Sequence, residues 1–313
     1  MVLLLGGGVF AATQVFKDKP SDAVKITGQQ QQTTDNSQAN TGGMSPSTES
    51  KPAETAPKSK TSGTSSSMPS TGGASTPTSD LCSIGSPPSS LNYDSFYQKY
   101  CSVRGFSIIS ADVVSDNALK AAAKIIDSMS SKRTDVIAKL AAKNVRYGVI
   151  GKGQQVLDMP EYRDLYDPNY DWNARSRGFG ATVYRPLSSS AEENLLCLSG
   201  DRYAGESITI HEFSHTFLNM GLEAIDGGFR GRLQTAYDKA INSGKWANTY
   251  AAVNVDEYWA EGVQDFYDTN LQASPANGVH NEIDTRSELQ SYDTDLYNLI
   301  AEVFPSSGKV TCQ

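Results

Sequence analysis

From Gly28 to Asp80 the chain contains no Ile, Leu, Val, Phe, Trp or Tyr, and about two-fifths of the stretch is Ser or Thr. Such a segment has no apolar surface to set against the entropy of ordering it, so it is expected to be disordered. All aromatic residues but Phe10 and Phe16 follow it. The folded part is therefore expected at 81–313, enough chain for one domain with a sizeable core. The composition of 28–80 is that of an O-glycosylated stalk or flexible linker, with a propeptide as the alternative. Residues 1–27 open with the apolar run "MVLLLGGGVFAATQVF". It resembles a signal-peptide core, with Ala11 and Ala12 near a cleavage region. It is short for a membrane span, which takes about twenty residues. The expectation is a secreted protein, or one tethered to the cell surface by an N-terminal membrane anchor.

Charge and cysteine usage narrow the function classes. Lys plus Arg balances Asp plus Glu up to residue 80, so the formal −8 belongs to the folded part. An acidic domain without basic clusters argues against nucleic acid as a partner. Cys82, Cys101, Cys197 and Cys312 form no C-x-x-C pair, which speaks against a cysteine zinc site. An even count behind a secretory-looking start predicts two disulfides. Three pairings are possible, of which Cys82–Cys101 with Cys197–Cys312 is the one expected, and four buried free thiols are the alternative. No feature calls for an obligate oligomer, so a monomer is expected.

Along the folded part, "LNYDSFYQKYC" reads as a short helix, and Phe106–Ser110 and Val145–Gly151 as strands. "NALKAAAKIIDSMSS" and "TDVIAKLAAKN" have apolar residues at helical spacing, the second with Thr134 or Asp135 as its cap. "GATVYRP" and "NLLCLSG" read as two strands either side of a Ser-rich loop, the first a candidate edge for an extended peptide. Helices are expected at about 206–220, 231–243, 255–269 and 294–303. The pattern predicts an α+β domain with a small mixed sheet and a mostly helical C-terminal half.

Within the first of those helices lies "ITIHEFSHTFLNMG". The chain has 3 histidines, and two of them, His211 and His215, sit here. Residues four apart share a helix face, so both imidazoles are set to meet one small ion. Zinc accepts histidine nitrogen, and a catalytic zinc keeps three protein ligands. Glu212, about 100° round the helix, is placed to serve as general base for an attacking water. This is the H-E-x-x-H pattern of zinc peptidases. Its apolar flanks predict a buried helix, where two histidines and a glutamate need partners. The third ligand is sought among His280 and the downstream acids. A close-following third histidine would fall at position 221, which is Gly221. "NVDEYWAEGVQDFYD" offers Glu257 as ligand, with Glu261 one turn on to hydrogen-bond a ligand histidine. The alternative for Glu257 is closure of a capping box opened by Asn254.

H-E-F-S-H followed by Tyr250 and by E-Y-W-A-E resembles the lethal-factor-like branch of the gluzincin zinc metallopeptidases, strongly over 205–268. That family carries E-F-F-A-E on its second zinc helix. The resemblance implies a zincin-like fold, one catalytic Zn2+ held by His211, His215 and Glu257, and hydrolysis of peptide bonds with Glu212 as general base. It implies a transition-state donor in Tyr250, seven residues before Glu257. The carrier-binding and substrate-docking domains of lethal factor have no counterpart here. His280, after Pro275 and Gly278, is a candidate substrate contact; Arg175 and Arg177 are candidate carboxylate binders, with structural ion pairing as the alternative. A non-catalytic binding module on the same scaffold and a zinc hydrolase of a non-peptide amide are the rival readings.

Overall fold

Strand β1 (Lys99–Val103) passes through Arg104 and Gly105, at φ 51° and 81°, into β2 (Phe106–Ser110). Two left-handed residues match the twist of an antiparallel pair, and glycine takes its position at no steric cost. The register runs from Lys99 opposite Ser110 to Val103 opposite Phe106. Strands β3 (Arg146–Ile150) and β4 (Leu187–Ala191) add in parallel, giving a four-stranded mixed sheet in the order β1-β2-β3-β4. The computed structural model describes residues 81–306. The signal-like or anchor segment, the Ser/Thr-rich segment and Cys312 lie outside the described residues.

Expectations about one helix and two strands are corrected. "LNYDSFYQKYC" is not a helix: only Leu91 belongs to a 3-10 turn, Ser89–Leu91, residues 92–98 form an irregular segment with a turn, and Lys99–Cys101 open β1. Cys101 and Val103 point inward at period two, and a disulfide joins Cys101 to Cys82 as expected. The Ser-rich "loop" is β4 itself, while "GATVYRP" is turn up to Pro186 and "NLLCLSG" opens on a one-turn helix, Glu192–Leu195. Ser188, Ser189 and Ser190 are fully buried. Ser190 Oγ accepts from Tyr147 Oη at 2.7 Å and meets Thr209 Oγ1 at 2.7 Å. Ser189 Oγ meets Tyr162 Oη at 2.9 Å. Ser188 Oγ has no hydrogen-bond partner among the described residues. A buried strand with two of its three hydroxyls satisfied by buried neighbours reads as polar in the sequence.

Helices α1 (Asp116–Ser130) and α2 (Thr134–Ala142) form where the apolar spacing predicts. Ser115 caps α1, accepting from Asn117 N. The expected cap of α2 is not found: Arg133 occupies that position without a side-chain cap, and Asp135 pairs with Arg133 at 2.7 Å. The C-terminal half carries α3 (Ile208–Thr216), α4 (Phe229–Asn242), α5 (Val255–Phe266), α6 (Arg286–Tyr292) and α7 (Thr294–Val303). Helix α6 was not anticipated; its capping box, Thr285 with Glu288, marks it in the sequence. No helix among the described residues is long and apolar enough to cross a membrane.

The packing places α3 at the junction of the two halves. Phe106, Ile108, Tyr147 and Val149 line one sheet face and pack against the helices in the larger core. Phe213 of α3 sits edge-on to Phe106 and Tyr147, with ring centroids 5.7 and 6.4 Å away. Ile109, Ile150 and Leu187 face the other way, onto Met159, Tyr162 and Phe179. Helix α5 is buried from Asp256 through Phe266, as a helix must be when neighbours surround it. It packs on α3 and on α7, where Leu296 and Ile300 meet Gly262.

Candidate metal centre

Ser207 opens α3, its side chain accepting from Ile210 N. All nine residues of the helix are buried. Asn254 opens α5, its carboxamide oxygen accepting from Asp256 N at 2.8 Å and Glu257 N at 3.0 Å. Asn254 thus caps the helix while the Glu257 carboxylate turns toward α3. Trp259 Nε1 donates to Ser214 O at 3.1 Å, a buried bond that fixes the two helices against each other.

Three donor atoms converge between them. His211 Nε2 and His215 Nε2 are 3.1 Å apart, and Glu257 Oε2 lies 3.2 Å from the first and 3.3 Å from the second. Zinc binds nitrogen and oxygen at about 2.0–2.2 Å in tetrahedral sites, which puts neighbouring ligand atoms about 3.3 Å apart. The triangle matches that edge length, and its residue types are those of a divalent transition-metal site. The donor set therefore fits a metal. Each of the three residues is at most 2% exposed, so the site is shielded from bulk water.

His211 is held from behind. Its Nδ1 lies 2.6 Å from Gln264 Oε1 and 3.4 Å from Glu261 Oε1. Donation from Nδ1 to the carboxamide oxygen leaves Nε2 facing the triangle. Glu261 is in turn held by Asn270 Nδ2 at 3.1 Å, which also donates to Asp265 Oδ1 at 2.8 Å. Burial pushes the Asp265 carboxyl well above its ordinary pKa, with the Asn270 bond opposing. Sequence reasoning placed Glu261 behind a ligand histidine and missed Gln264, the closer partner. The signal was present: Glu257, Glu261 and Gln264 recur at helical spacing along one side of a helix that is otherwise apolar at its core. His215 is different, since its buried Nδ1 has no hydrogen-bond partner among the described residues.

The electrostatics follow from the crowding. Burial alone would lower the His211 pKa, but its bonds to Glu257 and Glu261 outweigh burial and hold it well above 6.5. Burial would raise Glu257, but the two imidazoles override it and bring it down to about 2.

The remaining candidates fall in several places. Glu212 is 2% exposed and lies beneath Gly178, where an added Cβ would come within 3.3 Å of its Cγ. Gly180 covers His215 in the same way, at 2.9 Å from its Cβ. Phe179, between these glycines, bridges antiparallel to Ser189 at the edge of β4, with Ser189 N donating to Phe179 O at 2.8 Å. Tyr250 stacks near His211, with ring centroids 6.4 Å apart and an interplanar angle of 27°. Its backbone N donates to Val279 O at 2.8 Å, so the loop carrying His280 also supports Tyr250. His280 itself is buried, with Nε2 3.3 Å from Glu206 Oε1 just ahead of α3. Arg177 is a structural ion pair: it grips Glu193 at 2.7 and 2.9 Å, and both are buried. Arg175 lies over the Tyr170 ring.

One cavity borders the site and a larger one lies apart from it. The first, of about 450 Å³, has His215 in its lining. The larger, of about 710 Å³, beside α1 and Leu195–Leu198, touches none of the triad. It is lined in part by Cys197, whose expected partner Cys312 lies outside the described residues. Comparison with protein-family models, with curated proteins and with solved structures gave no match to this chain.

Proposed function

We propose that the protein is a zinc-dependent hydrolase of peptide bonds, with a zincin-like fold and the lethal-factor-like residue set. The observation that carries this reading is the triangle of His211 Nε2, His215 Nε2 and Glu257 Oε2, with sides of 3.1, 3.2 and 3.3 Å. Glu212 on the same helix turn supplies the group that such a site requires for hydrolysis. Zinc, when bound, would supply a Lewis acid that polarises the carbonyl and makes water a nucleophile near neutral pH. Glu212 takes the proton from the attacking water and delivers it to the leaving nitrogen. The Tyr250 hydroxyl donates to the carbonyl oxygen as negative charge develops on it. Gln264 and Glu261 hold the His211 tautomer in place throughout. The shielding of the triad keeps these interactions strong, because the effective dielectric there is low.

The proposal extends to a protein that works as a monomer outside the cell, free or tethered. The Cys82–Cys101 disulfide supports an oxidising compartment. The test exposes the purified protein to a diverse peptide mixture and maps new termini by mass spectrometry, with Glu212→Gln alongside. Cleavage by the wild type alone, lost with a chelator and restored by zinc, is expected. The variant should bind zinc stoichiometrically and lose on the order of a hundredfold or more in rate. Zinc bound by both with no peptide cut would refute peptide hydrolysis and favour a non-peptide amide or a binding role.

A further inference from the structure

The cavity of about 450 Å³ beside the triad is lined by Gly180–Val183, His215, Met220 and Val255, and by a polar wall of Asn219, Glu223, Arg230 and Asp256. His215 is 1% exposed, and its Nδ1 has no partner among the described residues. Its contact with His215 makes this a space open to a side chain next to a bond under attack at the triad.

The polar wall states what that side chain should be. Each guanidinium nitrogen of Arg230 is engaged with the wall's own acceptors: Nε donates to Glu223, Nη1 to Asp256 Oδ1 at 2.8 Å, and Nη2 to Asn219. Each acid gives Arg230 one oxygen, Glu223 Oε1 and Asp256 Oδ1, and no described donor takes the other. Two carboxylates against one guanidinium leave the wall with a net negative charge and two spare acceptor oxygens. Glu223 is 30% exposed and Asp256 is 8% exposed at the side chain, so the wall is partly desolvated. The surrounding domain is acidic as well, which raises the local concentration of cationic ligands.

We propose that this cavity is a side-chain pocket for lysine or arginine next to the scissile bond, so that the substrates are basic peptides. The inference rests on the hydrolase reading above, and the experiment separates the two. Zinc-loaded Glu212→Gln is titrated, by fluorescence anisotropy, with labelled Gly/Ala nonapeptides that differ only in a central Lys, Leu or Glu. The Lys peptide is expected to bind at least about tenfold more tightly than the Glu peptide, with a gap that narrows as salt rises. Adding Glu223→Lys should reverse the order, and adding Glu223→Gln should shrink it, with zinc stoichiometry and thermal melting confirming that each protein is folded. Equal binding of the three peptides, or none, overturns the pocket. Wild-type cleavage of the same peptides judges the other reading. Cleavage without preference for Lys overturns the pocket and leaves hydrolysis standing. Selective binding without cleavage keeps the pocket and sinks hydrolysis.

Discussion

The two histidines of the triad sit on one helix, one turn apart, yet their surroundings differ. His211 is backed by a chain of hydrogen bonds through Gln264 and Glu261 to Asn270 and Asp265. His215 has no such partner at Nδ1 and borders a cavity under Gly180. One side of the centre is therefore built to hold geometry, and the other to leave room. That division suits the proposed role, in which the centre fixes a metal and admits a substrate, and it is open to direct test.

The largest expected effect is on pH. In the apo protein His211 has a raised pKa, so its imidazolium stabilises the fold fully below about 6.5 and loses that contribution as pH climbs through the folded value. Glu257, lowered to about 2, stabilises above its ordinary 4.5 and loses that contribution as pH falls toward 2. These two groups favour the apo fold most between those two ordinary values. Metal binding must displace the His211 proton, so zinc affinity should rise about tenfold per pH unit while His211 remains protonated in the apo form. Calorimetric titration from pH 5.5 upward measures the slope. A slope near one fits a single proton held on the backed side, a slope of two would put a second proton on the triad and erase the asymmetry, and a flat profile would remove His211 from the ligand set.

Next comes the backing itself. Gln264→Leu keeps the volume close and removes the acceptor at 2.6 Å from His211 Nδ1. Loss of an outer partner of a ligand histidine typically costs about 10–100-fold in metal affinity. Competition against a chelator should show that loss, while Gln264→Glu, which restores an acceptor, should recover most of it. If Gln264→Leu binds zinc as tightly as wild type, Glu261 alone orients the ring.

The same division governs what the sequence could reveal. The two histidines of α3 were legible because H-E-x-x-H has fixed spacing on a helix and apolar neighbours announced its burial. Glu257 and Glu261 were legible from their one-turn spacing, and the same periodicity, carried one turn further, reaches Gln264. The open side left no such trace. Its polar wall gathers Asn219, Glu223, Arg230 and Asp256 from three separate segments, and no spacing along the chain joins them. Strand β4 failed for another reason. Residues 187–191 read "LSSSA", where hydrophobic periodicity carries no signal, and the partners that satisfy the Ser189 and Ser190 hydroxyls, Tyr147, Tyr162 and Thr209, come from elsewhere in the fold.

The smallest effect is expected on the open side, at the glycine that covers His215. Gly180→Ala would place a Cβ 2.9 Å from His215 Cβ and 3.4 Å from Glu212 O. Both neighbours belong to a helix pinned by Trp259 Nε1 on Ser214 O, so the covering segment must move rather than α3. Overpacking of this kind costs about 1–3 kcal/mol of stability, readable in denaturant unfolding. Because the displaced segment is not among the groups that hold the triangle, zinc affinity should change less than in Gln264→Leu. Peptide turnover should fall more than zinc affinity does, since the bridge between Phe179 and Ser189 runs through the same segment. A loss of zinc affinity equal to that of Gln264→Leu would show that both sides of the centre are equally rigid, and the contrast between the two histidines would then be one of contacts alone.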